Sequence, residues 1–295
     1  MRGSGSASIP VYIVFSELKL WRISNAIGLD SGALEIRVTT GEIGESNRND
    51  GRHGENYTKA CRLGPPLADP RPMTENEKAI VLLSGGIDSA VSLWWARAKG
   101  WDVRPLTFHY HRRPPQEVVA TRALLDASKT TGLREVDLPF LREVDDLKGA
   151  GLENKELLAS PEGYIPARNM VFYALAAYEA EPLGARWVIG GHNGSDPEAF
   201  PDASPKFFNF FNSMYRLGLW SYDKTPVQIL LPLSGKSKVD VVKLGLELKV
   251  PLELTWSCYW DREVHCGTCA SCVERKDAFR ALGIGDPIPY ETDRR

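Results

Sequence analysis

Hydrophobic residues follow two alternating patterns between residues 79 and 248. Short, continuous apolar runs predict buried strands over residues 79–83, 103–108, 134–138, 187–190 and 227–231. Apolar residues at helical spacing predict helices over residues 88–99, 117–130, 169–181, 205–219 and 238–248. Strands that alternate with helices are typical of an α/β fold, so we expect a doubly wound, Rossmann-like parallel sheet with helices on both faces. In such a sheet, ligands bind beyond the carboxyl ends of the strands.

The first 72 residues show little sustained periodicity. Residues 41–54 are polar and loop-like, and residues 64–72 contain four prolines in nine positions, which excludes regular structure there. We expect residues 1–72 to be a poorly ordered extension or an over-called start, with Met73 as the natural first residue. The alternative is a small N-terminal domain that uses the strand-like stretches 11–15 and 33–39. Residues 73–254 would form the α/β domain, and residues 255–295 a C-terminal segment packed on it.

Composition excludes some classes of protein. The chain has 36 Lys and Arg against 38 Asp and Glu, and its net charge of -2 gives no general attraction for nucleic acid or acidic lipid. No apolar stretch approaches the ~18–20 residues that cross a bilayer, and the run at 11–15 is too short for the core of a signal peptide. We therefore expect a cytoplasmic protein with neither a membrane partner nor a strong nucleic-acid partner.

The loop after the first strand of the predicted α/β domain is a candidate for phosphate binding. It reads Ser84-Gly85-Gly86-Ile87-Asp88-Ser89. Two glycines let backbone N–H groups approach a ligand, and the next helix directs its positive end, equivalent to roughly half an elementary charge, at the same place. The alternative is a tight turn in which Ser or Asp caps the helix. The loop is not a Walker sequence, because no Gly-Lys-Ser/Thr follows.

Four of the five cysteines are concentrated near the C-terminus. Their pattern is Cys258-x7-Cys266-x2-Cys269-x2-Cys272. In a reducing compartment such crowding indicates a metal site rather than disulfides, and four thiolates form the closed tetrahedral shell of structural zinc. The alternative, a set of buried free thiols, has no packing reason for this spacing. His265 is left out of the predicted shell because neighbouring residues rarely coordinate one ion together.

The loop sequence resembles the signature of the PP-loop ATP pyrophosphatase superfamily, Ser-Gly-Gly-x-Asp-Ser. The resemblance implies a fold of the adenine nucleotide alpha hydrolase type, in which ATP is cleaved between its α- and β-phosphates. The nucleotide contacts that it implies are Leu83, Ser84, Gly85, Gly86, Ile87, Asp88, Ser89, Phe108 and Arg168.

Taken with the cysteine cluster, the PP-loop resembles one family, the 7-cyano-7-deazaguanine synthases. Further segments in that family's pattern lie at 165–169, 200–202, 232–238 and 255–259, and the resemblance covers residues 78–290. It implies ATP with Mg²⁺, one zinc ion per chain, 7-carboxy-7-deazaguanine, ammonia and a homodimer.

The implied reaction turns a carboxylate into an acyl-adenylate, which ammonia converts to an amide. A second ATP then activates the amide oxygen, and elimination leaves the nitrile. We expect Asp88, Arg168 and Lys238 to be catalytic, because negative charge accumulates on the phosphates in each step. The expected substrate contacts are Asp196, Phe200, Asp202, Trp256 and Tyr259. Asp196 and Asp202 could instead hold Mg²⁺. The alternatives for these side chains are surface charges, helix caps and aromatic core packing.

Two segments depart from the family pattern. Residues 110–115 read Tyr-His-Arg-Arg-Pro-Pro where the family has Tyr-Gly-Gln-Arg-His, and residues 190–193 read Gly-Gly-His-Asn in place of a more apolar strand end. One alternative is therefore a relative that passes the activated carboxylate to another amine, on a protein or a nucleic acid. A second is a nucleotide-binding sensor without catalysis. Sulfur transfer is disfavoured because only Cys61 remains once zinc takes four thiols.

Overall fold

The computed structural model describes residues 73–196 and 200–294, together with four N-terminal strands within residues 11–63. The chain divides into two compact units, Met1–Ala68 and Asp69–Arg295. In the N-terminal unit the strands are β1 (Val11–Val14), β2 (Leu20–Asn25), β3 (Leu34–Thr39) and β4 (Cys61–Leu63). They pair antiparallel in that order.

The strand-like stretches at 11–15 and 33–39 overlap β1 and β3. Much of the predicted extension, including the proline-rich residues 64–72, lies outside the described residues. The predicted division of the chain at residues 73 and 255 stays a prediction.

The larger unit is built on a five-stranded parallel sheet in the order β7-β6-β5-β8-β9. The strands are β5 (Lys78–Leu82), β6 (Asp102–Tyr110), β7 (Arg134–Leu138), β8 (Trp187–Ile189) and β9 (Gln228–Leu230). Each coincides with a predicted strand to within a few residues. The apolar runs are continuous because side chains on both faces are buried: Ala79, Ile80 and Val81 are each at most 4% exposed.

Helices cover both faces of this sheet. They are α1 (Ile87–Ala98), α2 (Pro115–Ser128), α3 (Val144–Gly149), α4 (Arg168–Leu183), α5 (Pro205–Gly218), α6 (Lys238–Glu247) and α7 (Ala270–Ala281). Ile80 packs into a core with side chains of α4 and α5, whereas Ala79 and Val81 pack with side chains of α1 and α2 on the other face. The predicted doubly wound α/β fold is confirmed, and α3 and α7 are additions to it.

The strand order changes direction between β5 and β8, because the chain first builds outward through β6 and β7 and later returns to add β8 and β9. A crevice opens at such a switch point, beyond the carboxyl ends of the two central strands. The glycine-rich loop follows β5, and residues 190–193 follow β8. Among the described residues, no helix has the length and apolar character that a membrane crossing needs.

Candidate active site

The glycine-rich loop leaves the amino end of α1 open. Gly86 is the N-cap residue, and no described side chain caps the helix, so a Ser or Asp cap is not what the structure shows. Instead, the Ser89 hydroxyl accepts from Ser84 N (3.2 Å) and donates to Gly86 O (3.0 Å), which fixes the loop from within. The first N–H groups of α1 therefore remain available to an anion.

Gly85 is required by the backbone conformation of this loop. Its φ is +95°, in the region that L side chains rarely adopt, and a Cβ atom there would lie 2.4 Å from the carbonyl oxygen of Glu117 on α2. Gly191, after β8, also lies close to the loop: a Cβ atom there would lie 3.0 Å from Ser89 N. The backbone of α2 and the segment after β8 therefore pack closely against the glycine-rich loop.

Arg113 connects the loop to the sheet, and its side chain is 3% exposed. Its guanidinium donates to Ser84 O (2.7 Å), to Phe108 O on β6 (2.8 Å) and to Thr107 Oγ1 (2.9 Å). It also pairs with Glu117 at 3.0 Å. Burial raises the pKa of Glu117, and the charge and hydrogen bond of Arg113 offset part of that rise. The buried guanidinium of Arg113 therefore fixes the glycine-rich loop relative to β6 and α2.

Lys238 and Asp88 form a mostly buried ion pair at the end of the loop, 2.6 Å between Nζ and Oδ2. Lys238 Nζ also lies 3.4 Å from Glu274 on α7. Burial alone would lower the pKa of Lys238, but the two carboxylates outweigh it and raise that pKa. The second carboxylate oxygen of Asp88 is buried and has no hydrogen-bond partner among the described residues.

A cavity of about 330 Å³ lies at the carboxyl ends of β5, β6 and β8, within the size range of small-molecule sites. The predicted site residues that line it are Leu83, Ser84, Asp88, Ser89, Phe108, Arg168, Asp196, Phe200 and Tyr259. They come from five separate segments of the chain. The fold therefore gathers most of the predicted nucleotide and substrate residues around one space.

Aromatic side chains form part of the cavity wall. Phe108 stacks on Phe172 with ring centroids 4.1 Å apart, and Phe200 stacks on Tyr164 at 6.2 Å. Tyr259, from the C-terminal segment, reaches the same wall. Burial raises the pKa of Tyr110, another lining residue, to about 12, so its hydroxyl stays protonated at neutral pH.

The remaining predicted residues lie outside the cavity lining. Gly85, Gly86 and Ile87 form the loop behind it, and Lys238 reaches it through Asp88. Asp202 accepts from Asn169 N at 3.2 Å and so binds the first turn of α4. Trp256 packs on His265 with ring centroids 4.0 Å apart and donates from Nε1 to Cys258 O at 2.8 Å. A substrate contact by either side chain stays a prediction.

The four predicted cysteines come together at one point. Their Sγ atoms all lie within 4.8 Å of one another, and Cys266 and Cys272 are 3.9 Å apart. Four thiolates at 2.3 Å from a zinc ion would be about 3.8 Å apart. Burial opposes ionisation of Cys266, but the N–H groups of Thr268 (3.4 Å) and Cys269 (3.2 Å) donate to its sulfur and lower its pKa to about 6. The cluster is thus a site that could hold a metal.

His265 is buried beside the cluster but does not belong to it. Its Nε2 accepts from Ser257 N at 3.0 Å, and burial lowers its pKa to about 4, so the ring is neutral. The cluster contacts the phosphate loop through the segment before it, because Trp256 N donates to Gly85 O at 2.9 Å.

Comparison with known proteins identifies the family. The family described as "QueC: Queuosine biosynthesis protein QueC" matches residues 78–283. The chain belongs to the QueC family. The resemblance found in the sequence is confirmed, and so is the expected enzyme class, a ligase that forms C–N bonds.

Curated relatives that match the chain include proteins named 7-cyano-7-deazaguanine synthase. The protein of Thermoplasma volcanium is 38% identical over 72% of this chain and 91% of its own length. That of Methanothrix thermoacetophila is 35% identical over 72% of this chain and 99% of its own length. Among solved structures, the NMN synthetase from Francisella tularensis matches 72% of this chain and 79% of that chain at 17% identity, with a TM-score of 0.45.

Several cavity residues were not predicted from the sequence: Arg113, Glu117, Phe172, Tyr173 and His192. Arg113 and His192 lie in the two segments that depart from the family pattern. That departure was the sequence feature that could have identified them as site residues. Arg112 and Arg113 are neighbours of the same residue type, yet Arg112 is 68% exposed and pairs with Asp146. Nothing in the composition of that segment separates the two.

Proposed function

We propose that the chain converts 7-carboxy-7-deazaguanine and ammonia into 7-cyano-7-deazaguanine, with cleavage of ATP to AMP and pyrophosphate. The observation that carries the proposal is the single cavity that joins the uncapped end of α1 to Arg168 and to an aromatic wall. Membership of the QueC family supports the substrate, since the relatives above are named for its nitrile product.

The phosphate loop would bind the departing pyrophosphate. The free N–H groups at the start of α1 and the positive end of the helix favour an anion there. Arg168 and Lys238 would supply positive charge as phosphate oxygens accumulate negative charge, and the Asp88 pair keeps Lys238 protonated. The substrate carboxylate attacks the α-phosphate of ATP, and its oxygen then links the acyl group to AMP.

Asp88 fits the role of a magnesium ligand. Its buried Oδ1 has no partner among the described residues, although its other oxygen binds Lys238. Mg²⁺ binds through one or two carboxylates together with substrate phosphates, where it neutralises charge. The cysteine cluster fits zinc in a structural role, because four thiolates leave no open position for water.

The deazaguanine ring would lie against the aromatic wall. Phe200 and Tyr259 line the cavity, and so does Asp196, which would accept hydrogen bonds from ring N–H or amino groups. Burial opposes the charge of Asp196, but His192 and the N–H of Asn193 hold the pKa of this carboxyl below its usual value. Asp196 is therefore a carboxylate at neutral pH.

The test is to incubate the zinc-loaded chain with ATP, Mg²⁺, 7-carboxy-7-deazaguanine and ammonium, and to measure products by mass. We expect the nitrile and two AMP for each nitrile, because two oxygens are activated in turn. Arg168→Met should lower AMP formation about 100- to 1000-fold. Arg112→Met, which removes an exposed arginine outside the cavity, is the matched control and should leave it unchanged.

The other outcomes separate the alternatives. AMP formation without nitrile, together with an amide on an added amine, would favour the relative that passes the activated carboxylate to another acceptor. ATP binding without any AMP would favour the sensor and contradict the proposal. The homodimer remains an expectation from the family, and light scattering of the full chain measures it.

A further inference from the structure

The cavity has a polar floor next to β8 to which the reaction proposed above assigns no role. Tyr173 on α4 and His192 after β8 both line it. His192 belongs to the segment that replaces a more apolar strand end in the family pattern. Phe208 on α5 closes the floor, with its ring centroid 4.9 Å from that of His192.

Tyr173 carries an unpartnered hydroxyl beside this floor. The residue is 0% exposed, and its hydroxyl has no hydrogen-bond partner among the described residues. The hydroxyl occupies the space next to Gly190, where a Cβ atom would lie 1.8 Å from it. A buried polar group without a partner costs free energy, so its position at the edge of a cavity points to a ligand atom that completes its hydrogen bonding.

His192 lies beside a carboxylate. Its Nδ1 lies 3.5 Å from Asp196 Oδ2, and Asp196 is itself fixed by the N–H of Asn193 at 3.0 Å. No described residue forms a hydrogen bond to the other ring nitrogen, Nε2. A histidine whose Nδ1 faces a carboxylate and whose Nε2 is free has the arrangement of a general base.

The proposed reaction removes three protons from the ammonia nitrogen. Ammonia enters with three hydrogens, and the nitrile nitrogen keeps none of them. One proton leaves when the amide forms, a second when the amide oxygen is activated, and a third when the nitrile forms. A group that accepts protons beside the nitrogen would therefore act in each step.

We propose that the floor formed by Tyr173 and His192 is the ammonia site, and that His192 is the base that removes protons from the nitrogen. The inference rests on the proposed function, because it needs the acyl-adenylate as the reaction partner. The nitrogen lone pair forms the C–N bond, and the bond between the acyl carbon and the AMP oxygen breaks with its electron pair on AMP. One N–H proton passes to His192 Nε2, and the Tyr173 hydroxyl binds the nitrogen while this occurs.

The test separates the two half-reactions with His192→Gln. Exchange of labelled pyrophosphate into ATP needs the carboxylate substrate but no ammonia, and we expect it to stay within 2-fold of the parent. Amide and nitrile formation at saturating ammonium should fall about 100- to 10,000-fold. Acyl-adenylate should accumulate and be trapped by hydroxylamine.

His109→Gln is the matched control. His109 also pairs with a carboxylate, at 2.6 Å from Glu135, but it does not line the cavity. Both half-reactions should be unchanged in this variant.

Tyr173→Phe provides a second test, because it keeps the ring that packs on Phe208 and removes only the hydroxyl. We expect the KM for ammonium to rise about 10-fold with pyrophosphate exchange unchanged.

Three results would overturn the inference. Equal losses of exchange and of product formation in His192→Gln would mean that the residue supports ATP binding instead. Normal amide formation in that variant would mean that the base lies elsewhere. Absence of substrate-dependent exchange in the parent would overturn the proposed function itself, and the ammonia site with it.

Discussion

The phosphate loop and the cysteine cluster meet at the hydrogen bond from Trp256 N to Gly85 O, but they are held in place by different forces. The loop depends on backbone conformation: a positive φ at Gly85, an uncapped helix end and the buried Arg113 beneath it. The cluster depends on side chains, four sulfurs that converge within 4.8 Å. Four sulfurs at this spacing fit a single metal ion, so we expect a metal to stabilise the second region, whereas the contacts that hold the first need none.

Because one region is built from backbone and the other from side chains, the two should be sensitive to different kinds of substitution. An anion site built from backbone N–H groups is sensitive to any added Cβ atom. A side-chain-built metal site tolerates changes in its loops and is sensitive to the loss of one ligand. Lys238 belongs to both, since it pairs with Asp88 on α1 and with Glu274 on α7.

Loss of the metal should produce the largest effect. Cys269→Ala removes one of four ligands, and structural zinc contributes on the order of 10 kcal/mol to folding, comparable to the stability of a whole domain. We expect the C-terminal segment to unfold and AMP formation to be lost, because the contact between Trp256 and Gly85 is lost with it. Metal analysis, limited proteolysis and thermal melting measure this, with Cys61→Ala as the control. A zinc-free protein with an unchanged melting curve would contradict the structural role.

Removal of the shared lysine should have an intermediate effect. Lys238→Met leaves Asp88 and Glu274 without their cation. We expect the free energy of unfolding to fall by about 3 kcal/mol. This is the lower end of the range for broken buried ion pairs, because Asp88 is 26% exposed. The melting temperature should fall by roughly 6–12 °C, and AMP formation by about 100-fold. Lys243→Met changes an exposed lysine on the same helix. Equal melting temperatures for the two variants would show that the pair contributes nothing.

Crowding of the phosphate loop should have the smallest effect on stability. Gly85→Ala places a Cβ atom 2.4 Å from Glu117 O at a φ of +95°, whereas Gly151→Ala has a similar φ of +87° and no atom within 4 Å. Both variants carry backbone strain, so their difference isolates the collision. We expect Gly85→Ala to be about 1–2 kcal/mol less stable than Gly151→Ala and to lose pyrophosphate exchange at least 10-fold. Equal exchange rates would mean that the loop shifts without consequence.

Much of the fold could be predicted because its signals are local. A continuous apolar run is the direct result of burial on both faces, so the five strands of the parallel sheet were predicted closely. The phosphate loop and the cysteines carry their chemistry in short segments. Helix α7 was missed because its sequence, from Ala270 to Ala281, is rich in charge and begins inside the cysteine pattern.

The cavity lining could be predicted only in part, because lining is decided by tertiary packing. The buried role of Arg113 depends on the carbonyl groups of Ser84 and Phe108, which lie 29 and 5 residues away in the chain. Tyr173 resembled an ordinary core residue in an alanine-rich helix. Its hydroxyl fits at the carboxyl end of β8 only because Gly190 has no side chain, and no periodicity in the sequence links those two positions.

The fit between Gly190 and Tyr173 couples these two positions. A Cβ atom at 190 would lie 1.8 Å from the phenol oxygen, so the two groups cannot both keep their present places. Any larger residue at 190 therefore requires the tyrosine to move or to be replaced by a shorter side chain.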